Sequence, residues 1–166
     1  MRFPSYPWEL HSLLKGKPTV GWLMDLCDEN YRQLICIAPA LRMLGGYHIS
    51  RVDGCMDLHL EIQEQTRYTT LVHLTYFFPY QKERHADPDA LLRAYHDSRQ
   101  VEVMNLKQKA LPLNGGRELP TLVQKWRINL FLSKWLNYCV ERGHSFDQKS
   151  LQECALQGKF NTADSC

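Results

Sequence analysis

The chain of 166 residues is expected to fold as α+β: an antiparallel β-sheet meander of about five strands, packed against an N-terminal helix and a long C-terminal helix. Three observations predict this. Apolar residues recur at intervals of three and four over residues 20–38 and again over 122–139, the stripe of an amphipathic helix. Between those stretches the period drops to two, most clearly over residues 56–64, as in a strand with one buried face. The strand-like segments follow one another through turns and loops with no helical pattern between them, which favours antiparallel pairing with the helices on one face.

Taken in order, residues 1–17 carry Trp8, Leu10, Leu13 and Leu14, enough to pack an arm onto the body but not to form a core. The first helix starts near Pro18 and Thr19 and shows Val20, Leu23, Met24, Cys27, Tyr31, Leu34, Ile35 and Ala38 as its apolar stripe. Asp25, Asp28, Glu29 and Arg32 fall mostly on its wet side. Pro39 disturbs the last turn, and Gly45 with Gly46 ends any continuation.

A strand over 47–52 leads to an Asp53-Gly54 turn and a second strand over 56–64, with Met56, Leu58, Leu60 and Ile62 on one face. A third covers 68–77. A loop of Gln65, Thr66 and Arg67 would set Ile62 beside Thr70, Leu60 beside Val72 and Leu58 beside Leu74, joining apolar to apolar. The same register puts His59 opposite His73. Residues 79–89 are expected to be a charged loop bounded by proline, followed by a hairpin of 90–96 and 101–107. Its turn would pair Tyr95 with Glu102, or Arg93 with Asn105. Residues 109–120 form another loop. The longest helix begins at Thr121, buries Leu122, Ile128, Phe131, Leu132, Trp135, Leu136 and Cys139, and stops at Arg142 and Gly143. Asn129 falls largely off that face. One domain is expected over 1–143, followed by a polar C-terminal tail over 144–166 with at most a short helix near 151–156.

Composition excludes several classes. A hydrophobic share of 44% with 23% charged residues is that of a globular chain, not a disordered one. The net charge of +2, with both signs interspersed, offers no basic stripe for nucleic acid. No apolar run is long enough to span a bilayer. The opening residues lack the order of a signal peptide, and the six cysteines show no Cys-x-x-Cys spacing. Reduced thiols and a cytoplasmic location follow as expectations, with no cofactor and no metal site. Two histidines alone make only half a metal site.

Four segments carry a resemblance: LCDENYRQL from Leu26 to Leu34, ETRYTTLV in the looser form EQTRYTTLV from Glu64 to Val72, RAYHD followed by VEV, and INLFLSKWLNYCVERG from Ile128 to Gly143. On them the chain resembles the YqiB-like family of small bacterial proteins of unknown function. At Gln65 it departs from the small residue of other members. The resemblance implies a soluble, cytoplasmic protein and brings no activity, cofactor or catalytic role.

The residues themselves support two functional readings. In the first, a non-enzymatic ligand-binding or protein-interaction module uses a groove lined by Arg67, Tyr68, Arg93, Tyr95 and Glu64. Arginine forks suit a small anionic ligand, and tyrosines supply stacking faces. In the second, a small hydrolase-type enzyme uses His96 as general acid or base on an anionic substrate, partnered by Asp97 or Glu102. Neighbours on a strand point to opposite faces, so His96 and Asp97 converge only if the turn bends them together. Asp97-Ser98 is also good turn chemistry, and Arg93 with Glu102 would make an ordinary cross-strand pair. Whether the chain is an enzyme stays open at this level. A free sheet edge leaves room for a homodimer.

Overall fold

The computed structural model describes residues 19–80, 83–107 and 121–147. Helix α1 (Val20–Ile37) opens the described chain, capped by the Thr19 hydroxyl, which accepts from the Trp22 N–H at 3.2 Å. Pro39 follows its end, and a single 3-10 turn (Leu41–Met43) leads to Gly46, whose φ of 74° is the left-handed conformation glycine tolerates. Five strands follow: β1 (Gly46–Ser50), β2 (Leu58–Gln65), β3 (Thr69–Tyr80), β4 (Glu83–Tyr95) and β5 (Gln100–Lys107). They pair antiparallel in the order β1-β2-β3-β4-β5, a plain meander. Helix α2 (Leu122–Arg142) closes the fold with a capping box between Thr121 and Gln124 and a left-handed Gly143 at φ 83°. The α+β class is therefore shown, with five strands and two α-helices among the described residues.

One apolar core joins both helices to one sheet face. Leu34 and Ile37 of α1 and Leu132, Trp135, Leu136 and Cys139 of α2 meet Leu58, Leu60, Val72, Leu74, Tyr76, Ala90, Leu92, Ala94, Val101 and Leu106. The alternate residues of β4, including Arg93 and Tyr95, are half-buried.

Several expectations are corrected. Ile62 lies opposite Val72, Leu60 opposite Leu74 and Leu58 opposite Tyr76. Next to the turn, where Gln65 pairs with Thr70, the register is three residues out, and a bulge between Ile62 and Glu64 takes one back, leaving a displacement of two along the rest of β2. Thr66 and Thr69 close that turn through backbone and hydroxyl bonds. Over residues 58–62 the displacement is even and keeps the side chains on their expected faces, so apolar still meets apolar. It separates the histidines: His59 faces Thr75, and His73 faces Glu61.

The proline-bounded stretch expected as a loop is mostly sheet. β3 runs to Tyr80 and β4 starts at Glu83, with the irregularity between Thr75 and Phe77 taking up Asp87 and Pro88, which are joined by a cis peptide. Proline has no N–H to give a ladder, and a bulge is where a strand can spare one. The second hairpin turns through residues 96–99, pairing Tyr95 with Gln100 and Arg93 with Glu102, instead of Tyr95 with Glu102.

Glu29 and Asn129, read as wet, are 7% and 3% exposed because α1 and α2 pack side by side, Asn30 donating to the Asn129 carbonyl at 3.1 Å. His144 and Phe146, read as part of the tail, are each only 3% exposed, and the Phe146 N–H donates to the Ile37 carbonyl at 2.7 Å. The expected arm over 1–17, the loop over 109–120 and the helix near 151–156 lie outside the described residues. No described helix is long and apolar enough to cross a membrane.

Candidate functional site

The residues singled out in sequence do not gather around one cavity. Arg67 and Tyr68 sit exposed in the β2–β3 turn, the guanidinium 5.2 Å from the tyrosine ring centroid. Glu64 is exposed near the end of β2. Arg93 is half-buried between Leu71 and Glu102. Tyr95 and Glu102 line a cavity of about 140 Å³ with Cys27, Lys125 and Asn129. Glu102 also stands 3.6 Å from the Lys125 ammonium. The Cys27 thiol in this cavity is pushed up to about 12, first by burial and then by Glu102 and Asp28, so it stays protonated. Asp97 is exposed and accepts from the Ser98 N–H at 2.9 Å, the turn role its position allows.

His96 is different. It is 7% exposed and begins the 96–99 turn, with its N–H on the Tyr68 carbonyl at 2.9 Å, so the two hairpin turns are tied together. Its Nε2 lies 2.7 Å from the Thr70 hydroxyl and its Nδ1 3.1 Å from the Tyr31 hydroxyl of α1. Thr70 in turn bonds the Gln65 side-chain oxygen. Burial lowers the imidazole below its ordinary value, the Arg42 guanidinium lowers it further, and Asp97 opposes both.

The direction of each proton in this chain follows from chemistry. Gln65 Nε2 donates to the Leu41 and Leu44 carbonyls at 2.9 and 3.1 Å, and carbonyls only accept. Gln65 Oε1 is therefore an acceptor, so the Thr70 hydroxyl spends its proton there. Thr70 can then only accept from His96, which places the imidazole proton on Nε2. Nδ1 is left with a lone pair, and Tyr31 donates to it. The neutral imidazole required by this scheme agrees with the lowered basicity of His96.

Tyr31 leads to the largest of the cavities described here. A groove of about 860 Å³ runs between α1 and the 96–99 turn. Trp22, Tyr31, Ile35 and Cys36 supply apolar and aromatic surface, Asp25, Asp28 and Glu29 acid, and Arg32 and Arg99 base. Arg32 is already paired with Glu29 one turn earlier, and Glu29 also accepts from Gln33 at 3.3 Å. Neither Glu64, Arg67, Tyr68 nor Arg93 lines it. A third cavity, of about 620 Å³, runs along β5 from Glu102 to Leu106 beside Lys125, Ile128 and Asn129 of α2.

Sequence reasoning overlooked this groove because Tyr31 looked like a core position and the acids like a solvated face. One signal was present: Trp22, Asp25, Glu29 and Cys36 share a helix face at intervals of three, four and seven, an unusual place for a tryptophan if that face were only wet. Trp126, flanked by Lys125 and Arg127, is 9% exposed, which leaves little of its ring for a nucleic-acid contact.

On the sheet face opposite the apolar core, His73 bonds Asp89 and stands 3.8 Å from Glu61, while His59 bonds the Tyr47 hydroxyl. Among the described residues no group of three or more His, Cys, Asp or Glu is arranged to hold a metal ion.

The fold and groove thus define a small α+β protein with a five-stranded meander, two helices on one face, and a helix-walled cleft at one hairpin turn. A family model described as "Protein of unknown function (DUF1249)" matches residues 33–145, and the chain belongs to that family. Proteins named "Uncharacterized protein YqiB" from Escherichia coli K12, O6:H1 and O157:H7 are each 33% identical to it over 130 residues, covering 76% of this chain and 91% of the relative. The YqiB-like resemblance read from four segments is thereby shown. No solved structure matches the chain. The family match takes in His96, Thr70, Gln65, Ser98 and Arg99 but begins after Trp22 to Arg32.

Proposed function

We propose that this protein is a non-enzymatic binding module and that its ligand or partner lies in the groove between α1 and the 96–99 turn. The cavity carries this reading. At about 860 Å³ it is the size of a small-molecule site, and it combines aromatic walls with a few charged groups. Arg67 and Tyr68 remain candidates for contact with a larger partner, since both are exposed on the turn that is hydrogen-bonded to His96. Cytoplasmic residence is part of the proposal and is supported by Cys27, Cys36, Cys55 and Cys139, all free thiols.

A catalytic use of His96 has one observation in its favour, its bond to the hydroxyl of Tyr31, a residue that lines the groove. Against it, His96 is buried and Asp97 is engaged elsewhere.

The test is a thermal-shift screen against charged and neutral metabolites, run in parallel on Cys36→Trp. Cys36 is an exposed groove residue, so a tryptophan there fills the cleft without disturbing the core. Ligands of the groove raise the melting temperature of the wild type and not of the variant. Stabilisation that survives Cys36→Trp would move the site elsewhere.

A further inference from the structure

We infer that the groove takes a ligand carrying a protonated aliphatic amine, hydrogen-bonded to the Tyr31 oxygen beside the Asp25 and Asp28 carboxylates. This inference rests on the groove being the binding site and goes on to name the chemistry it accepts.

The argument starts from the relay behind Tyr31. Gln65, Thr70 and His96 are each committed in direction by the Leu41 and Leu44 carbonyls, and the commitment ends with Tyr31 donating its only hydroxyl proton to His96 Nδ1. Toward any further partner the Tyr31 oxygen is an acceptor and nothing else. A carboxylate or phosphate, itself only an acceptor, gains no bond there. An ammonium gains one.

The charges point the same way. Of the three acids lining the groove, Glu29 is buried, ion-paired with Arg32 and accepts from Gln33, while Asp25 and Asp28 stand exposed on the helix wall. Arg99 stands on the turn across from them. A single ammonium with an apolar body fits that layout, its charge against α1 and its chain along the apolar surface toward either Trp22 or Ile35. A second positive charge would meet Arg99. His96 acts as a positioning residue: it touches no ligand and sets where the tyrosine proton points.

The experiment compares three probes of equal chain length, n-hexylamine, hexanol and hexanoate, by titration calorimetry at neutral pH. Hexylamine is expected to bind about ten- to a hundredfold more tightly than hexanol, the ratio a charge-assisted bond confers. Hexanoate is expected not to bind. Tyr31→Phe, which keeps the ring, and Asp28→Asn, at an exposed position where folding is not at stake, should each remove most of the preference for the amine. In parallel, 15N shifts of the His96 ring should show Nε2 protonated and Nδ1 bare. Hexanoate binding as well as hexylamine, equal binding of amine and alcohol, no binding of any probe, or a protonated Nδ1 would each overturn the inference. Cys36→Trp separates the two levels. Amine and alcohol binding equally, with both blocked by that variant, removes the amine specificity and keeps the groove. Amine binding that persists in the variant removes the groove as well.

Discussion

Three histidines lose water on folding without gaining a dominant opposite charge. His59, His96 and His144 are each 8% exposed or less, and burial is the first cause lowering each of them. The unfolded chain therefore takes up protons at a higher pH than the folded one. Stability is complete above the ordinary histidine value of about 6.5 and falls as pH drops from there toward the lowered folded values. Urea denaturation should show a loss between pH 7.5 and 5, and His96→Asn should make it shallower. A flat profile would mean that these imidazoles keep their solution basicity. The relay gives a second expectation. Thr70 is fully buried, and Thr70→Val leaves the His96 Nε2–H and the Gln65 oxygen without their partner. The cost should be about 1–3 kcal/mol by equilibrium denaturation, since a buried unpaired polar group forfeits its hydration. None of these partnerships could be read from the sequence, because Tyr31, Thr70 and His96 come from three elements and the register that aligns them is tertiary.

At the scale of elements, local chemistry is legible where an element ends on its own residues. Thr121 and Gln124 bracket the start of α2, and Gly143 stops it in a left-handed conformation. Thr121→Ala should cost about 1 kcal/mol, read as a lowered denaturation midpoint with unchanged slope, because it removes an acceptor for the Gln124 N–H. Leu132→Ala, deep in the core, should cost about 2–5 kcal/mol by the same measurement. The strands are less legible. Pro79 and Pro88 read as loop punctuation, yet β3 and β4 extend past both because a bulge lets the ladder skip Pro88. Asn129 and Glu29 read as surface until a second helix lies against them.

For the molecule as a whole, the C-terminal residues of the described chain complete the core. His144 Nε2 lies 3.1 Å from the Tyr76 hydroxyl and Nδ1 3.1 Å from the Ser50 hydroxyl, while Phe146 joins the apolar cluster under α1. A chain ended after Gly143 should be less stable than one ended after Asp147 by about 3–5 kcal/mol, the loss of a buried phenylalanine with its hydrogen bonds. Equal melting temperatures for the two truncations would show that these contacts contribute nothing.

Periodicity and punctuation in the sequence were enough for the class of fold, for the five strands and two capped α-helices of the described residues, and for the faces of β2 and β3. Each depends on residues near one another in the chain, and an even displacement of register leaves a strand's faces unchanged. The groove, the direction of the Tyr31–His96–Thr70–Gln65 relay and the burial of Glu29, Asn129, His144 and Phe146 came only with the tertiary structure. They are set by which elements lie side by side: α1 against the 96–99 turn, α1 against α2, and residues 144–146 against β1 and β3. A side chain's type says what bonds it can make, and only packing decides which partners are within reach.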